Sequence, residues 1–166
     1  MAAVDLDGGK VLVRASAGVP LITRHQLGAG AVIVTLAPRM LGLDERAHPA
    51  LPYLMNAVTA GLLPVEVRLA GGLRPQGEIL YQINQTADGY LVSLINNRGV
   101  DKTQSGVARV DRRATANVLL RTAVQINSAT DYTEPRELSP SRQAGATEIS
   151  LSVHPGDVKV VHLKVN

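Results

Sequence analysis

The sequence contains no cysteine, no phenylalanine and no tryptophan among its 166 residues. Without cysteine there is no disulfide, no thiolate nucleophile and no cysteine-built zinc or iron–sulfur centre. Tyr53, Tyr81, Tyr90 and Tyr132 are the only aromatic side chains. That excludes a base-stacking surface or a sugar platform assembled from several rings. Long hydrophobic runs are also missing. Residues 31–37 and 57–65 are the longest apolar stretches, and the second contains Thr59 and Gly61; both are too short to span a bilayer. Met1-Ala2-Ala3, followed by Asp5 and Asp7, has neither the basic region nor the apolar core of a signal peptide, so a cytoplasmic location is expected for the chain as given.

A large excess of charge of one sign is absent too. Seventeen Lys and Arg against fourteen Asp and Glu give a formal net charge of +3. Residues 1–63 carry five basic and four acidic groups, and residues 64–166 carry twelve and ten. Neither part has the asymmetry of a nucleic-acid-binding arm. The densest basic cluster, Arg109, Arg112 and Arg113, is interrupted by Asp111 and reads as a solvated strand end and turn. No nucleic acid and no membrane are expected as partners.

What is present is an apolar fraction of 45%, which suits a globular chain. The first third reads as strands followed by one helix. Gly8-Gly9 marks a turn, Lys10 to Ala15 a short strand, and residues 19–36 a β-hairpin bent at Gly28 and Gly30. Ala31 to Leu36 is apolar on both faces, the pattern of a strand covered on both sides in an α/β layer. Leu51, Leu54, Met55, Val58 and Leu62 form one apolar stripe, which predicts an amphipathic helix over about 48–61 with its stripe facing a core. Pro49 suits its start, Gly61 its C-cap, and Pro64 forbids continuation.

From Pro64 onward the pattern is that of short strands between turns. Residues 64–69 form one strand, and residues 78–84 and 90–96 alternate as an antiparallel hairpin around Ala87-Asp88-Gly89. Its core face carries Ile79, Tyr81, Ile83, Tyr90, Val92 and Leu94. Further strands are predicted near 106–111, 115–124, 147–153 and 158–165, the last pair joined by His154-Pro155-Gly156-Asp157. Residues 125–146, rich in Thr, Ser, Pro and charge, read as an irregular excursion. The fold class is therefore mainly β. Residues 64–166 form an antiparallel β-sandwich or jelly-roll-like domain, preceded in 1–63 by a partial α/β piece of hairpin and helix. That first piece leaves sheet edges and a sheet face unpaired unless another surface covers them.

No catalytic constellation stands out. A glycosidase needs two carboxylates across a cleft, but nothing in the spacing of Glu66, Glu78, Glu134 and Glu137 fixes such a pair. Ser16 is not in a Gly-x-Ser-x-Gly elbow, and His25, His48, His154 and His162 show no metal-binding spacing. Asp5-Leu6-Asp7-Gly8-Gly9 begins like a calcium loop but lacks the glycine and glutamate that such a loop requires later. Gly28-Ala29-Gly30 bends a hairpin rather than cradling phosphate. No cofactor, metal or catalytic residue is assigned, and no activity is expected of this chain alone.

Val19 to Val34, with its Gly28-Ala29-Gly30 bend, resembles a late hairpin in beta-galactosidase-type glycoside hydrolases. The hairpin belongs to the glutamine-amidotransferase-like domain behind their catalytic barrel. Tyr90 to Asn97 and Pro155 to Val161 are similar to the small C-terminal β domain that follows it. The resemblance implies a non-catalytic piece of a carbohydrate-active protein, because the catalytic glutamates of such enzymes sit on a barrel too large for this chain. It further implies an accessory, structural or oligomerisation role, with a second copy or a larger parent protein as partner. The alternatives are a carbohydrate-binding sandwich, with Tyr132, Asn96 and Asn97 as sugar contacts, or a hydrolase activity supplied by a longer protein.

Overall fold

The computed structural model describes residues 7–36, 51–59, 62–72, 74–75, 77–102 and 105–165. The chain is mainly β, with several antiparallel sheets and, among the described residues, one α-helix, and divides into two compact units, Met1–Leu62 and Leu63–Asn166. Among the described residues, no helix is long and apolar enough to cross a membrane.

In the first unit β1 (Lys10–Arg14), β2 (Pro20–Leu27) and β3 (Gly30–Thr35) form an antiparallel sheet in that order. Gly28, at φ +58°, makes the turn between β2 and β3, the conformation that glycine adopts without a Cβ penalty. The expected double coverage of β3 is not found. Ala31, Val32, Val34 and Thr35 are exposed and only Ile33 is half-buried. The apolar run forms an outer strand of a small antiparallel sheet rather than the middle of an α/β layer.

Helix α1 (Leu51–Thr59) lies against β1. Its stripe is only partly a core face: Leu54 is buried and Val58 half-buried, while Met55 and Leu62 are exposed. Among the described residues α1 packs on β1, an outer strand of the three-stranded sheet. The expected helix ends at 48–50 and 60–61, with Pro49 and Gly61, lie outside the described residues, as do Asp5 and Leu6.

The second unit starts with β4 (Glu66–Leu69), β5 (Ile79–Thr86) and β6 (Gly89–Asn96). A small ribbon of β7 (Val100–Asp101) and β8 (Arg109–Val110) and a helical turn at Arg112–Ala114 lead to β9 (Ala116–Thr122). Then come β10 (Ile126–Asp131), β11 (Arg136–Leu138), β12 (Ser141–Gln143), β13 (Ala146–Val153) and β14 (Val158–Val165). They build a five-stranded sheet, β11-β10-β14-β6-β5, and a four-stranded sheet, β12-β13-β9-β4.

Alternation along the strands sends one face of each sheet into a common core. Val67, Val118, Leu120, Ile149 and Leu151 come from the four-stranded sheet; Ile79, Val92, Leu94, Ala129, Val161 and Leu163 come from the five-stranded one. Tyr81 and Tyr90 pack against this cluster, on the face that alternation assigned to them. Full burial of such a leucine or valine stabilises by about 1.5–3 kcal/mol.

The segment 125–146 departs from expectation. It holds three strands, and β10 sits inside the five-stranded sheet between β11 and β14. A register irregularity between Ile126 and Ser128 breaks the alternation, so that buried Ile126 is followed inward by the small Ala129 and the charged Asp131. The chain crosses from one sheet to the other at Ser139-Pro140, between β11 and β12. The strand expected near 106–111 shortens to the two residues of β8.

Candidate functional site

Glu66, Glu148 and Glu137 are each tied to local cations or a hydroxyl. Glu66 in β4 binds Arg68 at 2.8 Å and also pairs with Arg74. Burial pushes the Glu66 carboxyl up, but the hydrogen bonds from Arg68 and Arg74 outweigh it and hold the group below its ordinary value. Glu148 of β13 pairs with Arg121 of β9 at 3.2 Å, and Glu137 of β11 accepts from the Thr130 hydroxyl at 3.0 Å. Glu66 and Glu137 stand on different sheets. Among the described residues no group of three His, Cys, Asp or Glu side chains is arranged to hold a metal.

An ion cluster of buried Asp131 and Lys159 with exposed Glu134 closes the turn after β10. Lys159, 2% exposed, places Nζ 2.7 Å from Glu134 Oε1 and 3.3 Å from Asp131 Oδ2, with Asp131 fully buried. Asp131 Oδ1 accepts from the N–H and hydroxyl of Thr133, forming a turn-stabilising Asx motif. Burial raises the Asp131 carboxyl, yet hydrogen bonds from Thr133, Glu134 and Lys159 bring it below its ordinary value. The same two carboxylates raise Lys159 against the effect of its own burial. With both partners held in their charged forms, this cluster is a structural clamp.

The three residues expected to contact sugar occupy different environments. Asn96 is fully buried at the end of β6. Its Nδ2 donates to the carbonyls of Ala114 at 3.0 Å and Val153 at 2.9 Å, and its Oδ1 accepts from the N–H of Arg98 at 3.0 Å. Backbone bonds from Gly156 N–H to Asn96 O and from Asn96 N–H to Asp157 O tie it to the last turn. This amide serves the fold. Asn97 is exposed in the turn that follows. Tyr132, 55% exposed, turns its hydroxyl to His162 Nδ1 at 3.1 Å, while His162 Nε2 lies 3.1 Å from Asp88 Oδ1.

Asn96 thus pins three segments together: the 96–99 turn, the 111–115 segment and the 154–157 turn. Beside them is a pocket of about 490 Å³ lined by Val110, Arg112, Thr115, His154, Pro155 and Asp157. Thr115 Oγ1 donates to the Arg112 carbonyl at 3.0 Å and lies 3.0 Å from His154 Nδ1. This contact orients the imidazole through Nδ1, and Nε2 has no hydrogen-bond partner among the described residues. A shallower groove of about 380 Å³ runs over β9 and β13; its Ser152 and Asn117 are bonded to each other at 2.8 Å.

Arg112, Thr115, His154 and Asp157 were not singled out together by sequence. Their only signals were the arginine cluster and the Pro-Gly-Asp turn, both of which also describe ordinary surface turns. No protein-family model, no curated protein and no solved structure matches the chain.

Proposed function

We propose that this chain is a non-catalytic accessory module that self-associates through its first unit, and that the two sheets of its second unit form a β-sandwich. The observation that carries the assembly role is the uncovered apolar face of the first sheet. Registers place Leu27, Val32 and Val34 on one face with Thr23 and His25. Leu27 is 66%, Val32 48% and Val34 44% exposed. Isolated apolar residues on a surface need no explanation, but three on one face beside an edge strand favour an interface. The partner is a second copy: β3 carries no charge, so two β3 strands can approach without like-charge repulsion. The sandwich is supported by the shared buried cluster that both sheets contribute to.

A carbohydrate-active parent rests on the resemblance of residues 19–34, 90–97 and 155–161 to the late hairpin and C-terminal β domain of beta-galactosidase-type enzymes. Ion pairing of Glu66 and Glu134 and the full use of Asn96 by the fold agree with a chain that does no chemistry itself.

Light scattering across a range of concentrations tests the assembly role. The expected result is a dimer or larger species that dissociates on dilution, and a monomer for the double variant Val32→Lys, Val34→Lys with unchanged circular dichroism. A wild-type monomer at every concentration would overturn it.

A further inference from the structure

At the loop end of the second unit, exposed Arg112 and His154 and half-buried Asp157 line one pocket. Arg112 has no carboxylate within ion-pair distance among the described residues; its neighbour Asp111 is engaged by Arg113 Nε at 3.0 Å. Asp157 uses its backbone, donating to His154 O at 3.0 Å and accepting from Asn96, while its carboxylate has no hydrogen-bond or ion-pair partner among the described residues. His154 is oriented by Thr115 at Nδ1, and Nε2 is unengaged there. Arg112 and Asp157 line the same pocket yet do not pair with each other.

We propose that this pocket binds a monosaccharide bearing a carboxylate, a uronate. The pocket separates a cation from an anion, so its best ligand carries an oxyanion at one end and hydrogen-bond donors at the other. A uronate does both: its carboxylate meets the Arg112 fork in two parallel hydrogen bonds, and its hydroxyls donate to Asp157. Val110 and Pro155 supply an apolar wall for the C–H face of the ring. A volume of about 490 Å³ falls within the range of small-molecule sites and accommodates one sugar ring. A bare inorganic anion satisfies Arg112 but is repelled by Asp157, and a neutral sugar leaves Arg112 without a counter-charge. The 96–99, 111–115 and 154–157 segments are held by Asn96, so the backbone that carries the site is organised before ligand arrives. The site lies wholly in the second unit and does not depend on self-association.

Calorimetric titration of the full chain with galacturonate and glucuronate, beside galactose and inorganic phosphate, tests this site. The expected result is saturable binding of at least one uronate with a dissociation constant of about 1 mM. Galactose and phosphate should bind at least about tenfold more weakly, a difference of one order in the equilibrium constant. Arg112→Gln and Asp157→Asn should each weaken the uronate by a similar factor while the melting temperature stays unchanged. Absence of saturation by either uronate up to about 20 mM would overturn the proposal. So would galactose binding as tightly, or phosphate binding as tightly in a manner indifferent to Asp157→Asn.

Discussion

Replacing Asn96 by alanine removes two donors from the carbonyls of Ala114 and Val153 and an acceptor from the N–H of Arg98. Leaving such groups unsatisfied in a buried site costs about 2–3 kcal/mol. Chemical denaturation should show that loss, and a cost below about 0.5 kcal/mol would show that Asn96 is not the pin described. Its role was legible in part, because the alternation that sends Val92 and Leu94 inward continues to Asn96. An asparagine beside a turn nevertheless looks like a surface residue until the strand pairing brings Ala114 and Val153 over it. Sequence alone has no means of bringing Arg112, His154 and Asp157 together, because the pocket depends on three separate turns meeting.

The Lys159 clamp belongs to the same scale. Lys159→Met leaves the buried Asp131 carboxylate without its closest cation, at a cost of about 3 kcal/mol by denaturation. Asp131 is held below its ordinary value of 3.8 in the fold, so its contribution is fully present above pH 3.8 and is lost as pH falls through the lower folded value. Melting temperature should therefore decline on acidification below that point. Asp131→Asn should flatten this acid limb; an unchanged slope in the variant would remove Asp131 from the account.

Among the elements, the β5–β6 hairpin was the most legible and β10 the least. The hairpin announces itself through alternation on both sides of Ala87-Asp88-Gly89, and its strands run only slightly longer than expected, to Ile79–Thr86 and Gly89–Asn96. Strand β10 conceals itself because its inward residues include Ala129 and Asp131 and its register slips near Ile126. Ile126 and Ala129 are its only contributions to the buried apolar cluster among the described residues, too few for a periodic signal. Gly89 adds a constraint from β14: a Cβ there would stand 1.9 Å from the Leu163 carbonyl oxygen. Gly89→Ala should destabilise by about 3 kcal/mol or prevent folding, because backbone on both sides must shift. A melting temperature equal to wild type would contradict the close strand approach.

For the molecule as a whole, the two units carry different functional burdens. The second holds the large buried core, the ion clamp and the loop-end pocket. The first presents a three-stranded sheet whose outer strand keeps Val32 and Val34 in solvent. An apolar edge strand of this kind is either covered by a partner or prone to uncontrolled pairing, and the proposed accessory role would assign that cover to a second copy. The sequence disclosed the apolar character of β3. It misdirected the inference about coverage, since apolarity on both faces looks alike for a strand inside a layer and for one awaiting a partner.

The most direct test of self-association through β3 is hydrogen–deuterium exchange of Gly30–Thr35 at low and high protein concentration. If β3 is the contact, amides pointing away from β2 slow with increasing concentration while those in β9 and β13 do not change. Rapid exchange of those β3 amides at every concentration, in a sample that is otherwise folded, would contradict it.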